Sequence, residues 1–415
     1  MNEMASAAEP EVVTGSREQL LHLLAEASEI EHTLMCSYLY AAFSLKSAEQ
    51  DGLTAAQAEA AARWRSTIIG VAIEEMGHLL MVANLTVAVG GTPHFARPNF
   101  PVSPGYFPSH VVVRLTGFSP DTLDHFIFLE RPRGIAGSDH EAFEQEHYER
   151  EQAHDGLMPS AQDYRTIGHL YEAVRTNLTY LTERLGEEAL FIGGAAAQLG
   201  RNVADLEGVN AISGLDTALR AIGMIVEQGE GSPSDRDGSH YRRFVEIKDE
   251  YERLAAADPR FAPAWPVADN PVLRRPPEPG DKIFIDGREA AALLDFACAA
   301  YGLLLRLLVQ CFGRAGADAL DQQKRLFGAA IELMHVLAAA SDALARVPAS
   351  PDAPGVNAGM SFTMLRGVEP LLKSSEQMLL DEQIGQLARQ ARRLPALGEE
   401  ISARLDKLSE SFGFR

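Results

Sequence analysis

The sequence is poor in cysteine and in basic charge. It has three cysteines in 415 residues, Cys36, Cys298 and Cys311, and no CxxC pair, which excludes a disulfide framework. Each cysteine lies in an apolar stretch of helical pattern, so we expect buried, reduced thiols. Lysine and arginine number 37 against 58 aspartates and glutamates, a formal net charge of -21. Nucleic acids and anionic membranes attract basic surfaces, so neither is expected as a partner.

Long apolar runs and a basic leader are also missing. The most apolar stretch, residues 290–312, contains Asp295 and Arg306 and is therefore expected to fall short of the roughly 20 uninterrupted apolar residues of a membrane span. The N-terminus has no basic region followed by an apolar run, so no secretory signal is expected. These absences predict a soluble, cytoplasmic protein.

The common nucleotide and hydrolase motifs are absent as well. There is no GxSxG, no GxxxxGK[ST] and no GxGxxG that opens a helix after a strand. A serine hydrolase, a P-loop NTPase and a dinucleotide-binding domain are therefore not expected.

Proline divides the chain into helical blocks. The two proline-rich zones, residues 93–132 and 259–279, cannot be long helices. Apolar residues at helical spacing predict helices outside these zones, over about 17–45, 55–89, 161–185, 215–230, 288–312, 319–346 and 370–412. A further helix is predicted to begin after Ser239. The pattern predicts a mainly α protein with a four-helix bundle first and a second helical region after a linker.

The first proline-rich zone is expected to hold the little β structure of the chain. The alternating residues 110–115 predict a short strand, and Ser119 before Pro120 predicts the start of a short helix. Residues 133–160, rich in histidine and glutamate, predict a surface loop or a mobile lid.

Acidic side chains occupy positions where a core helix should be apolar. Glu31 shares a helix face with Leu24 and Leu34. A buried carboxylate costs several kcal/mol unless it is paired or binds a metal. On the next helix, Glu75 and His78 stand at i and i+3, which places a carboxylate and an imidazole side by side. The pattern on these two helices indicates an inward-facing polar site.

The later helices extend this pattern. Glu227 and Glu230 share a face of the fourth helix, whereas Glu172 on the third helix has polar neighbours and is the weakest of the set. A lone ExxH motif usually lies on a solvated face. Carboxylates on four helices together with ExxH are typical of bundles that hold two iron or manganese ions.

Several segments resemble a known family. EIEHTLMCSYLYA, IIGVAIEEMGHLLMVANLTVAVGG, TIGHLYEAV and IVEQGEG…SHYRRF are similar to the ferritin-like domain of the iminophenylpyruvate dimer synthase family, the bacterial chromopyrrolate and violacein biosynthesis proteins and their stand-alone relatives. The resemblance covers most of residues 15–255. It implies a ferritin-like fold, non-haem iron and oxidative chemistry on an amino-acid-derived substrate.

The resemblance also implies a ligand set. Matched residue by residue, it makes Glu31, Glu75, His78, Glu172 and Glu227 metal ligands. The second ExxH of ferritin-like proteins is missing, because position 230 is a glutamate.

His240 is the expected replacement imidazole, and Glu230 is either a ligand or a carboxylate that orients His240. Whether one metal ion or two bind stays open at this point, as does the choice between iron and manganese. The chain lacks the large N-terminal region of the full-length synthases, so only the iron and the oxidative class carry over.

Two neighbours of these candidates have more than one interpretation. Glu74 is expected to face solvent or to orient a ligand. Tyr38, two turns from Glu31, either lines a substrate pocket or fills the core.

The sequence therefore predicts an O₂-activating di-iron oxidase or oxygenase of natural product biosynthesis that acts on a small substrate. The expected parts are a metal-binding bundle over 15–255 with an insertion at about 90–160, a proline-rich linker over 256–284, and a C-terminal helical region over 285–415. The C-terminal helices are expected to form either a homodimer interface or a wall of the pocket. Two alternatives remain: a metal-binding ferritin relative without a substrate, and a non-catalytic protein that binds an intermediate for a partner enzyme.

Overall fold

Two long antiparallel helices form the centre of the protein. The computed structural model describes residues 11–133, 135, 138–150, 162–229, 238–278, 280–364, 366 and 368–412. Helix α1 (Arg17–Ser44) begins at Ser16, whose side chain accepts from the Gln19 amide. Helix α2 (Ala55–Ala88) begins with a reciprocal capping box between Thr54 and Gln57. Capping satisfies amide groups that have no partner within the helix, which fixes where both helices start.

Two further pairs of helices pack on this centre. One pair is α3 (Pro120–Leu129) and α7 (His240–Ala257), and the other is α4 (Ile167–Leu185) and α6 (Leu215–Gly229), with the single-turn α5 (Glu187–Leu190) between α4 and α6. Helices α3 and α7 are antiparallel, because Lys248 pairs with Asp124 near the middle of both helices, whereas His240 at the start of α7 lies beside Glu130 at the end of α3. The end of α3 and the start of α7 therefore meet next to α2.

The C-terminal region consists of two helical hairpins. Helices α8 (Arg288–Cys311) and α9 (Ala319–Leu344) pack together, and α10 (Glu376–Ala391) and α11 (Gly398–Phe412) pack on α8 and α9 respectively. Short 3-10 helices are also present at Glu49–Asp51, Ala195–Ala197 and Pro395–Leu397. Among the described residues, the buried apolar side chains form one continuous core.

The mainly helical architecture is confirmed, with a few helix limits shifted. Helix α4 begins at Ile167 rather than near residue 161, because the Thr166 side chain caps it by accepting from the His169 amide. The single helix predicted over 370–412 is wrong: it is two helices, interrupted by a turn that contains Pro395. Ser119 and Ser239 cap α3 and α7 as predicted.

The predicted strand over 110–115 is wrong. This segment is extended, but Leu115 exchanges its backbone hydrogen bonds with Asn270: the Leu115 amide donates to Asn270 Oδ1, and the Asn270 amide donates to the Leu115 carbonyl. One residue thus replaces a partner strand. The sheet of the described chain lies in the second proline-rich zone, where β1 (Pro271–Val272) and β2 (Ile283–Phe284) pair in parallel.

The segment predicted as a linker is bonded to the end of α1. The Lys46 amide donates to the Pro263 carbonyl and the Trp265 amide to the Ser44 carbonyl, both at 2.8 Å. The division of the chain into separate domains stays a prediction. Of the segment predicted as a lid, residues 138–150 are extended or turn backbone that packs on α3, where Phe143 stacks on His125 at 3.9 Å between ring centroids.

A buried polar network joins α1 to α8. The His32 ring bonds the Phe95 carbonyl through Nδ1 at 3.0 Å and the Tyr301 hydroxyl through Nε2 at 2.6 Å. Arg97 also donates to the Tyr301 hydroxyl at 3.0 Å and is only 5% exposed. His32 is thus a hydrogen-bonded core histidine, and the two halves of the chain share polar as well as apolar contacts.

Three helices are long and apolar enough to cross a membrane by length and composition, namely Ala55–Ala88, Arg288–Cys311 and Ala319–Leu344. The expectation that the stretch at 290–312 falls short of a membrane span is therefore wrong on composition. In this fold, however, 78%, 72% and 50% of their most apolar windows are buried inside the protein. The apolar surface of these helices is used largely for internal packing.

Candidate metal centre

Three buried side chains from α1 and α2 form the first half of the site. His78 Nδ1 lies 2.9 Å from Glu75 Oε2 and 3.3 Å from Glu31 Oε2. The i, i+3 spacing on α2 places Glu75 beside His78, and the antiparallel packing of α1 brings Glu31 to the same point. All three residues are at most 2% exposed. Two carboxylates and an imidazole thus converge where water is excluded.

The second half uses the other oxygen of Glu75. Glu75 Oε1 lies 2.9 Å from His240 Nδ1, and Glu130 Oε1 lies 3.7 Å from the same nitrogen. His240 is the first residue of α7 and Glu130 follows the last residue of α3, so the antiparallel pairing of these two helices brings them together. In each half, one ligand atom from every residue lies within 4.8 Å of the others. Glu75 belongs to both halves.

The Nδ1 atom of His240 fits a metal ligand. It is buried and has no hydrogen-bond partner among the described residues, although Glu75 Oε1 is near. The opposite nitrogen, Nε2, donates to Glu74 Oε2 at 3.0 Å, and Arg243 holds the same carboxylate oxygen. Because a carboxylate oxygen accepts, Nε2 keeps its proton there, and Nδ1, which faces Glu75 and Glu130, is the nitrogen that could bind a metal ion once it loses its own proton.

His78 has the same arrangement. Its Nε2 donates to the amide oxygen of Gln228 on α6 at 2.9 Å, while Nδ1 faces the carboxylates. Both imidazoles are thus oriented from outside the cluster, which is the usual arrangement of histidines that bind metals.

Two tyrosines bind the outer carboxylates. The Tyr171 hydroxyl donates to Glu31 Oε1, and the Tyr38 hydroxyl donates to Glu130 Oε1. Tyr38 also packs edge-on against Phe126 at 4.6 Å between ring centroids. Tyr38 therefore belongs to the core and to the site at once.

The electrostatics show how strongly these groups interact. Burial, together with the charge of Glu75, raises the pKa of Glu31 to about 8. Burial would also raise the pKa of Glu75, but His240 and His78 hold it well below its usual range. Burial opposes charge on His78, yet Glu75 and Glu31 raise its pKa to about 10. Protons on the imidazoles thus offset buried carboxylate charge, a role that cations could take over.

The donor set suits two divalent ions. Three carboxylates and two imidazoles are the oxygen and nitrogen ligands that iron and manganese accept, and one shared carboxylate offsets the repulsion between two close cations. The residues present therefore fit a dinuclear site.

The structure brings together four of the seven predicted ligands: Glu31, Glu75, His78 and His240. It does not bring Glu172 or Glu227 to the cluster. The Glu172 side chain is 45% exposed and lies 3.3 Å from Arg175 Nε, and Glu227 is exposed. Glu230 lies outside the described residues.

Helical phase explains this outcome. On α4 and α6 the residues that face the cluster are Tyr171 and Gln228, the immediate neighbours of Glu172 and Glu227. Adjacent positions on a helix are rotated by about 100°, so both glutamates point elsewhere.

Sequence reasoning missed Glu130. The signal that identified Glu31 was also present here, because Glu130 continues the buried face of Leu123 and Phe126 at helical spacing. The short length of α3 and its position in a proline-rich zone hid this pattern. Glu130 is the third carboxylate of the cluster.

A small cavity adjoins the cluster. Its volume is about 20 Å³, room for one water-sized molecule. Beyond the carboxylates and His78, its wall comes mainly from α4 and α6, with Ile167, Ile225 and Val226 among the lining residues.

Two known proteins are similar in sequence to this chain. The dichlorochromopyrrolate synthase of Lentzea aerocolonigenes is 28% identical over 96% of this chain and 41% of its own length. The 2-imino-3-(indol-3-yl)propanoate dimerase of Chromobacterium violaceum is 28% identical over 82% of this chain and 34% of its own. The predicted resemblance is thus confirmed, while this chain spans well under half the length of either relative.

Two further comparisons concern the fold. A ferritin-like protein from Caulobacter vibrioides is 19% identical, with a TM-score of 0.48 over 85% of this chain and 100% of that protein. The sequence profile of the ferritin-like family matches residues 24–249, more than half of the chain and a range that includes every described residue of the cluster. The chain therefore belongs to the ferritin-like family.

Proposed function

We propose that this protein is an O₂-activating, non-haem di-iron oxidase or oxygenase of the cytoplasm, which acts on a small substrate derived from an amino acid. The observation that supports this most is the position of Glu75, whose two carboxylate oxygens each lie 2.9 Å from a different imidazole nitrogen. A shared carboxylate between two histidines is the arrangement that a pair of metal ions needs.

In this proposal, Glu31, Glu75 and His78 hold one ion, and Glu75, Glu130 and His240 hold the other. When bound, a pair of ferrous ions supplies electrons for the reduction of O₂. Manganese suits the same ligands, so the preference for iron rests on the resemblance to enzymes of oxidative metabolism.

The remaining residues orient the ligands and exclude water. Gln228 and Glu74 fix the outer nitrogens of His78 and His240, so both inner nitrogens stay directed at the carboxylates. Burial of the whole cluster strengthens its electrostatic interactions. The hydroxyls of Tyr171 and Tyr38 hold Glu31 and Glu130 in place.

The substrate class comes from the relatives. Their names describe a chromopyrrolate product and an indolyl imino acid, and we infer an imino or amino acid of similar kind for this chain. We do not extend the coupling of two such molecules to it, because the chain spans only 41% and 34% of these enzymes.

The test is O₂ uptake by protein loaded anaerobically with ferrous iron. The substrate is an imino acid, which an added amino-acid oxidase generates from L-tryptophan or L-phenylalanine. The O₂ uptake of that oxidase alone is measured in a parallel reaction and subtracted from the total. We expect additional, substrate-dependent uptake and an oxidised product by mass spectrometry.

The matched variants are Glu75→Gln, which should abolish the additional uptake, and Glu172→Gln, which should leave it unchanged. Equal uptake by the wild type and Glu75→Gln would overturn the proposal. Absence of both iron and uptake in the wild type would favour a non-catalytic protein that binds an intermediate.

A further inference from the structure

A second cavity lies between α8 and α10, in the C-terminal region. Its volume is about 440 Å³, within the range of sites for small organic ligands. Its lining comes from one face of α8, from one face of α10 with the turn after it, and from residues 366 and 368. It shares no residue with the metal centre, so it is a separate site.

Four arginines converge on this cavity, Arg306, Arg366, Arg389 and Arg393, and we call it the arginine pocket. This is unusual for a chain with a formal net charge of -21. Within the described ranges, no carboxylate lies at ion-pair distance from Arg366, Arg389 or Arg393, in contrast to the neighbouring Arg392, which pairs with Asp406. One carboxylate, Asp295, is among the lining residues. The pocket therefore carries an excess of positive charge.

The rest of the lining is largely apolar. Phe296 and Leu303 on α8 face Leu387 on α10, and all three are buried. Ala299 and Gly302 lie on the same face of α8, where their small size leaves room between the helices. An apolar body thus fits between the helices while a charged group meets the arginines.

One buried polar atom also lacks a partner. Gln383 Oε1 has no hydrogen-bond partner in the part of the chain that the structure describes, and Gln383 lines the pocket. A buried amide oxygen without a donor costs about 1–3 kcal/mol, which a ligand with an N–H or O–H group would relieve.

We propose that the arginine pocket binds a small organic anion that combines an apolar, ring-sized body with a phosphate or carboxylate group. Guanidinium groups donate two parallel hydrogen bonds to either anion, with geometric specificity that a lysine does not provide. The pocket thus serves a ligand distinct from anything held at the metal centre.

Calorimetric titration tests the proposal with three probes of similar body: phenyl phosphate, 3-phenylpropanoate and neutral benzyl alcohol. We expect at least one anion to bind with a Kd of about 1 mM or tighter, and benzyl alcohol to bind at least about tenfold more weakly. The tighter of the two anions identifies the preferred charged group. Affinity should fall as salt is added.

The double variant Arg389→Gln/Arg393→Gln should weaken binding of the anion by about tenfold or more. The control is Arg392→Gln, which removes one arginine next to Arg393 that does not line the pocket. Arg392→Gln should stay within about twofold of the wild type.

Three results would overturn the proposal: no anion binding at this level, equal affinity in the wild type and the double variant, or an equal loss in Arg392→Gln. The iron content of the double variant is measured as well, so that a failure of the arginine pocket can be told apart from a failure of the proposed function. The two are separable because the pocket contains no residue of the metal centre. An unchanged iron content with lost anion binding supports the pocket alone.

Discussion

Glu75 and His240 meet at 2.9 Å between Oε1 and Nδ1, although they lie on helices far apart in the sequence. The other oxygen of Glu75 is equally close to His78 Nδ1. The middle of α2 and the start of α7 therefore contribute side chains to the same site. It also explains why the chain has a buried histidine at the first position of a helix.

Glu130 is expected to bind metal and Glu172 is not. Glu130→Gln should lower the iron content of the reconstituted protein from about two ions per chain to about one, because the second half of the site loses a carboxylate. Glu172→Gln makes the same chemical change on an exposed side chain of α4 and should leave the content unchanged. Elemental analysis after desalting measures both. The opposite pattern would favour the ligand set expected from sequence alone.

Gln228 is expected to act through His78. Gln228→Leu removes the acceptor of the His78 Nε2 proton, and the loss of such an orienting contact typically weakens metal binding by about 10- to 100-fold. Competition with a chelator measures the affinity. The control is Glu227→Gln on the neighbouring exposed position, for which we expect no change. Unchanged affinity in Gln228→Leu would show that His78 needs no outer partner.

Tyr301 is expected to stabilise the contact between α1 and α8. Tyr301→Phe removes the hydroxyl that bonds His32 Nε2 and that accepts from Arg97. His32 Nε2 loses its partner, whereas Arg97 keeps the carbonyls of Pro98 and Phe362 as acceptors. The free energy of unfolding in urea should fall by about 1–3 kcal/mol. Tyr180→Phe, on a side chain 46% exposed, should change it by less than about 0.5 kcal/mol. Similar values for the two variants would mean that the network contributes nothing measurable.

The three thiols are expected to be unreactive in the folded protein. Cys36, Cys298 and Cys311 are free and buried, and burial raises the pKa of each, that of Cys311 to about 12. The thiolate is the reactive form, so little of it is present at mildly alkaline pH. A colorimetric thiol reagent should therefore react slowly with native protein and promptly with all three thiols in guanidinium chloride. A prompt reaction of the native protein would show that one thiol is accessible.

Sequence reasoning located most of the helices and four of the five residues of the candidate cluster, three of them for a physical reason that their helix positions show. A carboxylate on an apolar helix face, as at Glu31, costs free energy that only a partner or a metal offsets, so the pattern alone marks the position. The i, i+3 spacing of Glu75 and His78 places their side chains next to each other on one helix face, whatever the fold around that helix.

The fifth residue of the cluster, Glu130, depends on tertiary structure. Periodicity does not show which helix packs next to α2. Helices α4 and α6, from which glutamates were expected, present Tyr171 and Gln228 to the cluster instead. Glu130 required the antiparallel pairing of α3 with α7. The strand expected over 110–115 failed for a similar reason, because Asn270 satisfied its backbone.

The central claim is that Glu75 is shared between two metal ions. The most direct measurement is the iron content of the wild-type protein after anaerobic reconstitution with ferrous iron and desalting, alongside Glu75→Gln. The shared site predicts about two irons per chain in the wild type and a loss of both in Glu75→Gln. One iron in the wild type, or two irons in both proteins, would contradict it.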